Sequence, residues 1–202
     1  MKKLFLLIAT ASAFGFMLSD ATITKKERKF ALKLLADTEN GVLNSVKGLS
    51  DAQLKFKSAP DRWSVEECLK HIAISEQALW QLTSGTLQQA PNPEARAEVK
   101  TTDDQVVNML EDRSHKVQTT DMLKPENTPF KSAPEAIESF QANRVKLISY
   151  VKTTREDLRN HVATLPIGKY DCYQLILFIG AHSNRHMQQI EEVKADPNFP
   201  KN

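Results

Sequence analysis

The chain has 202 residues, 41% hydrophobic and 26% charged, which is enough to bury a core without disulfide or metal staples. Its formal net charge is only +2, and no basic stripe carries interleaved aromatics, so nothing in the charge pattern supports nucleic acid binding. With 6 glycines and 9 prolines, long stretches can run uninterrupted as helix.

Residues 1–21 stand apart from the rest. Met1-Lys2-Lys3 is a short basic start, Leu4 to Leu18 carries no charge, and two small-residue cleavage patterns occur, Ala11-Ser12-Ala13 and Ser19-Asp20-Ala21. This is the composition of a secretory signal peptide. An uncharged run of about 15 residues falls short of the roughly 20 needed to cross a bilayer. Cutting after Ala21 leaves the longer apolar core, and no cysteine lies nearby to take a lipid. The expected organisation is therefore a signal peptide over 1–21 and a helical domain over 22–202. The mature domain is exported, periplasmic or secreted, and free of the membrane after cleavage.

In chain order, the first helical segment runs from about Thr24 to Val46. It opens on the capping box Thr24-Lys-Lys-Glu27, carries Phe30, Leu34, Leu35, Val42 and Val46 at helical spacing, and stops near Gly48. The second opens on the box Ser64-Val-Glu-Glu67, carries Leu69, Ile72, Leu79 and Leu82, and ends at Gly85. Residues 86–102, with Pro91 and Pro93, read as loop. A third segment over Asp103–Thr119 is short and more polar, a peripheral helix or lid. The fourth, over Pro134–Val151, is capped by Ser132 and carries Ile137, Phe140, Val145, Leu147 and Ile148. The fifth runs from the cap Asp171 to Ala195 and is stopped by Pro197. No strand-period alternation stands out. Four long helices and one short one predict an all-α fold, an antiparallel four-helix bundle with one extra short peripheral helix.

The helices place the histidines. At about 100° per residue, Leu175, Phe178, Ile179, His186, Gln189 and Val193 all fall within about 60° of His182, on the inward stripe. On the second segment Cys68, Ser75, Ala78 and Leu82 fall within about 60° of His71. Three imidazoles thus enter one interior from two helices, and two of them sit one turn apart, a spacing that lets both rings reach one ion. A single inward histidine is usually a core side chain with a hydrogen-bond partner; three together point to one divalent transition ion, Zn, Ni or Fe, held by His71, His182 and His186. Three protein ligands leave positions open for water or substrate. His115 and His161 read as solvated surface residues. His182-Ser-Asn-Arg-His186 lacks the glutamate of a HExxH protease, and there is no Glu-x-x-His, haem attachment motif, phosphate loop or nucleophile elbow.

Trp63-Ser64-Val65-Glu66-Glu67 followed by His71-Ile72-Ala73 resembles the second-helix motif of DinB-like proteins, the metal-binding bundles rather than the DNA polymerase that shares the name. Tyr173 to His186, then Gln189-Ile190-Glu191-Glu192, resembles the family's last helix, and Phe140-Gln-Ala-Asn-Arg144 matches a recurring Phe and Arg spacing. The resemblance covers essentially all of the mature chain. It implies a four-helix bundle with a metal on three histidines, which map onto His71, His182 and His186. It also implies a metal-dependent hydrolase or a transferase or isomerase using a low-molecular-weight thiol.

On that reading the substrate is a small molecule. Glu67, on the His71 face one turn earlier, is the nearest candidate general base, although its capping-box role is the favoured one. Gln189 could orient a ligand imidazole or a water. Arg144 and Arg185 could hold an anionic substrate, but surface ion pairs are expected of both. The alternative function is a non-catalytic exported metal- or small-ligand-binding bundle, favoured by the lack of a convincing acid or base beside the triad. A homodimer is compatible with the sequence. If the two histidine helices run parallel, Cys68 and Cys172 are offset by roughly 10 Å along the axis, too far for a disulfide. Two free thiols are expected, with Cys68 near the site and within reach of substrate.

Overall fold

The computed structural model describes residues 22–201, so the expected signal segment 1–21 lies outside the described residues. Helix starts follow the local chemistry. Thr24 Oγ1 accepts from Glu27 N at 3.2 Å while Glu27 Oε2 accepts from Thr24 N at 2.6 Å, and this reciprocal pair opens α1 (Lys25–Val46). Ser50 and Gln53 do the same for the short α2 (Asp51–Lys55), and Ser64 and Glu67 for α3 (Val65–Leu87). α4 (Pro93–Arg96) is a single turn, and α5 (Asp103–Glu111) opens on a Thr102–Gln105 box. α6 (Ala133–Thr153) is capped by Ser132 with Pro134 in its first turn. α7 (Cys172–Lys194) is capped by Asp171, whose Oδ1 accepts from Gln174 N at 2.7 Å. Gly48, just past α1, has φ 76°, the left-handed value glycine adopts without a Cβ penalty.

α1, α3, α6 and α7 form the bundle. α7 packs on α1 and α3, and α6 packs on α3 and α1, so α1 and α3 lie diagonally across from each other. Cross-contacts fix the directions. Tyr173 Oη donates to Glu27 O and Lys194 Nζ to Ser45 O, so α1 and α7 run parallel. Cys172 Sγ lies against Thr83 O while His186 meets His71, so α3 and α7 run antiparallel. Gln77 pairs with Ser139 and Trp80 with Tyr150, making α3 and α6 parallel. Arg28 reaches Val151 O and Arg144 reaches Leu35 O, making α1 and α6 antiparallel. The parallel α3/α6 pair requires a long return, and residues 88–132 supply it, carrying α4, α5 and two 3₁₀ turns at Asp121–Leu123 and Pro125–Asn127. α5 lies along α7.

The apolar core divides by level. Leu35, Leu147, Val151, Leu158, Tyr173 and Ile176 fill the end where α7 starts, and Val42, Val65, Leu69, Ile72, Phe140 and Ile190 fill the other. Each such side chain contributes about 1.5–3 kcal/mol on burial. Gly180 brings α7 close to α1: a Cβ there would lie 2.9 Å from Leu34 Cγ.

Several expectations need correction. The third segment is helical only to Glu111, not Thr119. Where no strand-period alternation stands out in the sequence and a loop through Pro166 and Gly168 is expected, the chain forms an antiparallel hairpin, β1 (Val162–Leu165) and β2 (Gly168–Asp171), whose strands are too short to show a period. Leu177, about 140° from His182 and so expected on the outer face, is fully buried, because α5 and the hairpin cover α7 on a further side. Leu82, placed inward, is partly exposed. His161 is buried rather than solvated; its ring nitrogens contact Asp157 O at 2.6 Å and Gln89 O at 3.1 Å, tying the hairpin to the α3 end.

Arg144 is the largest correction. It is 0% exposed rather than a surface cation. Nε and Nη2 donate to the two oxygens of Glu76 at 3.0 and 2.7 Å. Nη1 donates to Leu35 O at 2.8 Å and Thr38 Oγ1 at 2.9 Å, and Nη2 also to Ser183 Oγ at 2.9 Å. All five N–H donors are used, and the guanidinium ties the four long helices together.

Candidate metal centre

His71 lies in the second turn of α3, and His182 and His186 lie one turn apart on α7. Because α3 and α7 are adjacent and antiparallel, the first third of one meets the latter half of the other. His71 Nε2 stands 3.3 Å from His182 Nε2, and His186 Nε2 stands 3.2 Å from the same atom. The ligand nitrogens of all three lie within 4.8 Å of one another. Two nitrogens bound to one ion at 2.0–2.1 Å in tetrahedral geometry would be separated by about 3.3–3.4 Å, which matches these distances.

The outer nitrogens set which lone pairs face inward. His71 Nδ1–H donates to Leu123 O at 2.7 Å, and His186 Nδ1–H donates to Gln189 Oε1 at 2.9 Å. Both Nε2 atoms are then acceptors. A proton on His182 Nε2 can satisfy only one of them, so at least one pair of lone pairs face each other at about hydrogen-bond distance. A cation resolves that conflict, and orientation of the outer nitrogen is what metal-binding imidazoles need. Burial pushes the His71 pKa down against the Leu123 bond. Burial, then the charges of His71 and Arg185, lowers His182 to about 3, and burial with the neighbouring imidazoles lowers His186 well below its ordinary value. All three are therefore neutral near pH 7, the form that ligates.

His71 and His186 are buried and His182 keeps partial access. The Trp63 ring lies 4.8 Å from that of His71 and stacks at 5.7 Å on that of His186, and Phe178 stacks at 6.3 Å on His182. A pocket of about 650 Å³ opens beside the triad, with Trp63, His186, Gln189 and Arg185 in its wall. Its other side is the 112–132 strap, held by Arg185, which donates to the carbonyls of Leu110, Asp112 and His115. Arg185 is thus a buried clamp on the strap, not a surface ion pair. Gln189 orients His186, one of the two roles expected for it.

Glu67 does not join the triad. Its Oε2 accepts from Ser64 N at 2.8 Å and its Oε1 from Lys57 Nζ at 2.8 Å, so it caps α3 and pairs at the surface. Cys68 and Cys172 are free and buried, as expected, but for a different reason. With α3 and α7 antiparallel, Cys172 is level with Thr83, fifteen residues or about 22 Å along α3 from Cys68. Cys68 is packed among Val42, Leu69 and Phe140 and does not line the pocket, contrary to the expectation that it reaches substrate. His115 is exposed, as expected, and sits at the pocket rim. The sequence reading missed Arg62, Arg113 and Glu192 as pocket residues. Glu192 lies almost two turns beyond His186, and Arg62 precedes the Trp63 that stacks on it, so proximity along the chain was the available signal.

A model of the DinB superfamily matches residues 34–190. The chain is 26% identical over 152 residues to the uncharacterized protein YuaE of Bacillus subtilis (strain 168), covering 75% of this chain and 89% of that protein. Its fold is similar, at a TM-score of 0.60 and 13% identity, to that of YfiT from Bacillus subtilis. That protein is described as a probable metal-dependent hydrolase with an unusual four-helix bundle topology; the superposition covers 89% of this chain and 92% of that one.

Proposed function

The chain belongs to the DinB superfamily, and from that premise we propose that His71, His182 and His186 hold one divalent transition ion with which the protein hydrolyses a small-molecule substrate. The observation that carries this reading is the convergence of three neutral imidazoles on one point with Nε2 separations of 3.2 and 3.3 Å. The family and the description of YfiT support it. Such an ion supplies Lewis acidity, drawing electron density from an oxygen or sulfur donor and lowering that donor's pKa. The chain's own residues do the rest. Leu123 O and Gln189 hold two rings in orientation, Trp63 and Phe178 pack their rings against the cluster, and the adjacent pocket has the volume of a small-molecule site. Transfer of a low-molecular-weight thiol would use the same ion and pocket.

Elemental analysis of untagged protein, with turnover measured on ester, amide and thiol-transfer panels, tests the proposal. One equivalent of zinc, nickel or iron is expected, and loss of both metal and turnover in a folded His182→Ala variant. Metal-free protein that cannot be loaded, or turnover unchanged in that variant, would refute it. The engagement of Glu67 in its cap, away from the triad, favours a second reading, a non-catalytic metal or ligand binder. A large drop in melting temperature on chelation without turnover on any panel would select it. The composition of residues 1–21 supports export of the mature domain, and Edman sequencing of the protein from a periplasmic or culture fraction should begin at Thr22. No helix among the described residues is long and apolar enough to cross a membrane.

A further inference from the structure

The wall of the pocket nearest His186 carries more guanidinium than carboxylate. Arg113 forms a two-point bond to Glu192, Nε to Oε1 and Nη2 to Oε2, both at 2.6 Å. The charges of Arg62 and Arg185 also act on Glu192, and with the Arg113 bond they hold its carboxyl below its ordinary range against burial. Arg185 is 8% exposed and spends its donors on neutral carbonyls, with Asp112 the other carboxylate that acts on it. Arg62 is exposed and forms no ion pair among the described residues, although it lines the pocket. Elsewhere on the rim Lys116 pairs with Asp61, and Lys124 with Asp121. Around Glu192, among the described residues, Arg62 is the guanidinium without an ion-pair partner; the lining also holds the carboxylate of Glu126, on the Lys124 side.

The distances set the shape of what could answer that charge. Glu192, which fixes Arg113, lies six residues past His186, about 9 Å along α7. The Trp63 ring, stacked on His186 and part of the same lining, offers a flat apolar wall and is continuous with Arg62 in the chain.

We propose that the pocket takes a small monocarboxylate, its carboxylate on Arg62 with the Glu192-held Arg113 beside it, its planar or apolar body along Trp63, and its reacting end at the histidine cluster. This inference rests on the metal reading above and names the substrate class for it. A bidentate guanidinium–carboxylate contact also gives the pocket a reason to prefer an anion over a neutral molecule of the same shape.

The test uses full-length mature protein loaded with cobalt(II), whose visible absorption reports a ligand at the ion. Three probes share a metal-binding hydroxamate head: benzohydroxamate, 4-carboxybenzohydroxamate and 4-carbamoylbenzohydroxamate. The carboxylate probe is expected to bind roughly tenfold more tightly than the carbamoyl one. That preference should collapse in Arg62→Ala and in Arg113→Gln, each checked for fold by circular dichroism and for cobalt content. It should also weaken with added salt. Equal affinity of the carboxylate and carbamoyl probes, or a preference unchanged in Arg62→Ala, overturns the inference and leaves the metal reading intact. Failure of the protein to take up cobalt overturns the metal reading and the inference with it; cobalt uptake with none of the three probes altering the spectrum overturns the inference alone.

Discussion

Replacing Arg144 by methionine removes the cation that neutralises Glu76 while keeping a chain of similar length in the bundle. Thr38 Oγ1 and Ser183 Oγ keep backbone partners of their own at Leu34 O and Ile179 O, so the loss concentrates on the Glu76 carboxylate, which is 2% exposed. Leaving one member of a buried pair uncompensated costs about 3–5 kcal/mol. For a chain of this size each kcal/mol moves the midpoint about 2–4 °C, so Arg144→Met should melt roughly 6–20 °C lower at pH 7. The pH dependence identifies the cause. Burial raises the Glu76 carboxyl and Arg144 pulls it back; without the guanidinium it rises further. A carboxyl raised in the folded state contributes its stability below its unfolded pKa and loses it as pH climbs. The deficit should therefore be small near pH 4 and full at neutrality. The double variant Arg144→Met/Glu76→Leu should recover most of the loss, because an apolar pair can fill the same space. Calorimetric melting of wild type and the two variants at pH 4 and pH 7 checks this. A single-variant deficit under about 1 kcal/mol, or a double variant no more stable than the single, would refute the account.

Metal removal should lower the melting temperature in a concentration-dependent way, since a ligand at a thousand times its dissociation constant adds about 4 kcal/mol to the folded state; a chelator-insensitive midpoint would count against the centre. In the metal-free protein the three imidazoles have depressed folded pKa values, with His182 at about 3, so they stabilise above pH 6.5, and that contribution should drain away as pH falls from 6.5 towards 3. Melting across that interval should be steeper for wild type than for a His71→Phe/His182→Phe variant. Gly180→Ala should destabilise by about 1 kcal/mol despite alanine's higher helix propensity, because its Cβ would press on Leu34 at 2.9 Å; a gain in stability would show that α1 yields there. Cys68 and Cys172 are buried, with the Cys172 thiol pushed up to about 12. Thiol reagents should therefore find two groups only after unfolding, and rapid labelling of the native protein would contradict that burial.

The helices were legible where a local signal exists. Thr24, Ser64, Ser132 and Asp171 cap the helices predicted from them, and the inward stripe of α7 placed His182 and His186 correctly relative to His71. The Ser50-Asp-Ala-Gln53 box carried the same information for α2 and was overlooked because the helix it opens is five residues long. Arg144 was misplaced because arginine is rarely buried and its partner Glu76 is 68 positions away. Yet it sits four residues after Phe140 and three before Leu147, on the apolar stripe of α6, and that spacing was the available signal. The order of helices around the bundle has no local signature. Assuming parallel histidine helices therefore gave a correct expectation for the cysteines from a wrong topology.

The parallel pairing of α1 with α7 has a consequence during synthesis. Among the described helices the first, α1, must wait for the last to cover the face it turns to α7, and two of the three histidines arrive only with that last helix. If the three histidines hold an ion as proposed, the nascent chain cannot capture it early and fold around it. On that proposal loading would follow release of the carboxyl-terminal segment, and a chain truncated before α7 would expose the part of α1 that α7 covers and lack two of the three histidines.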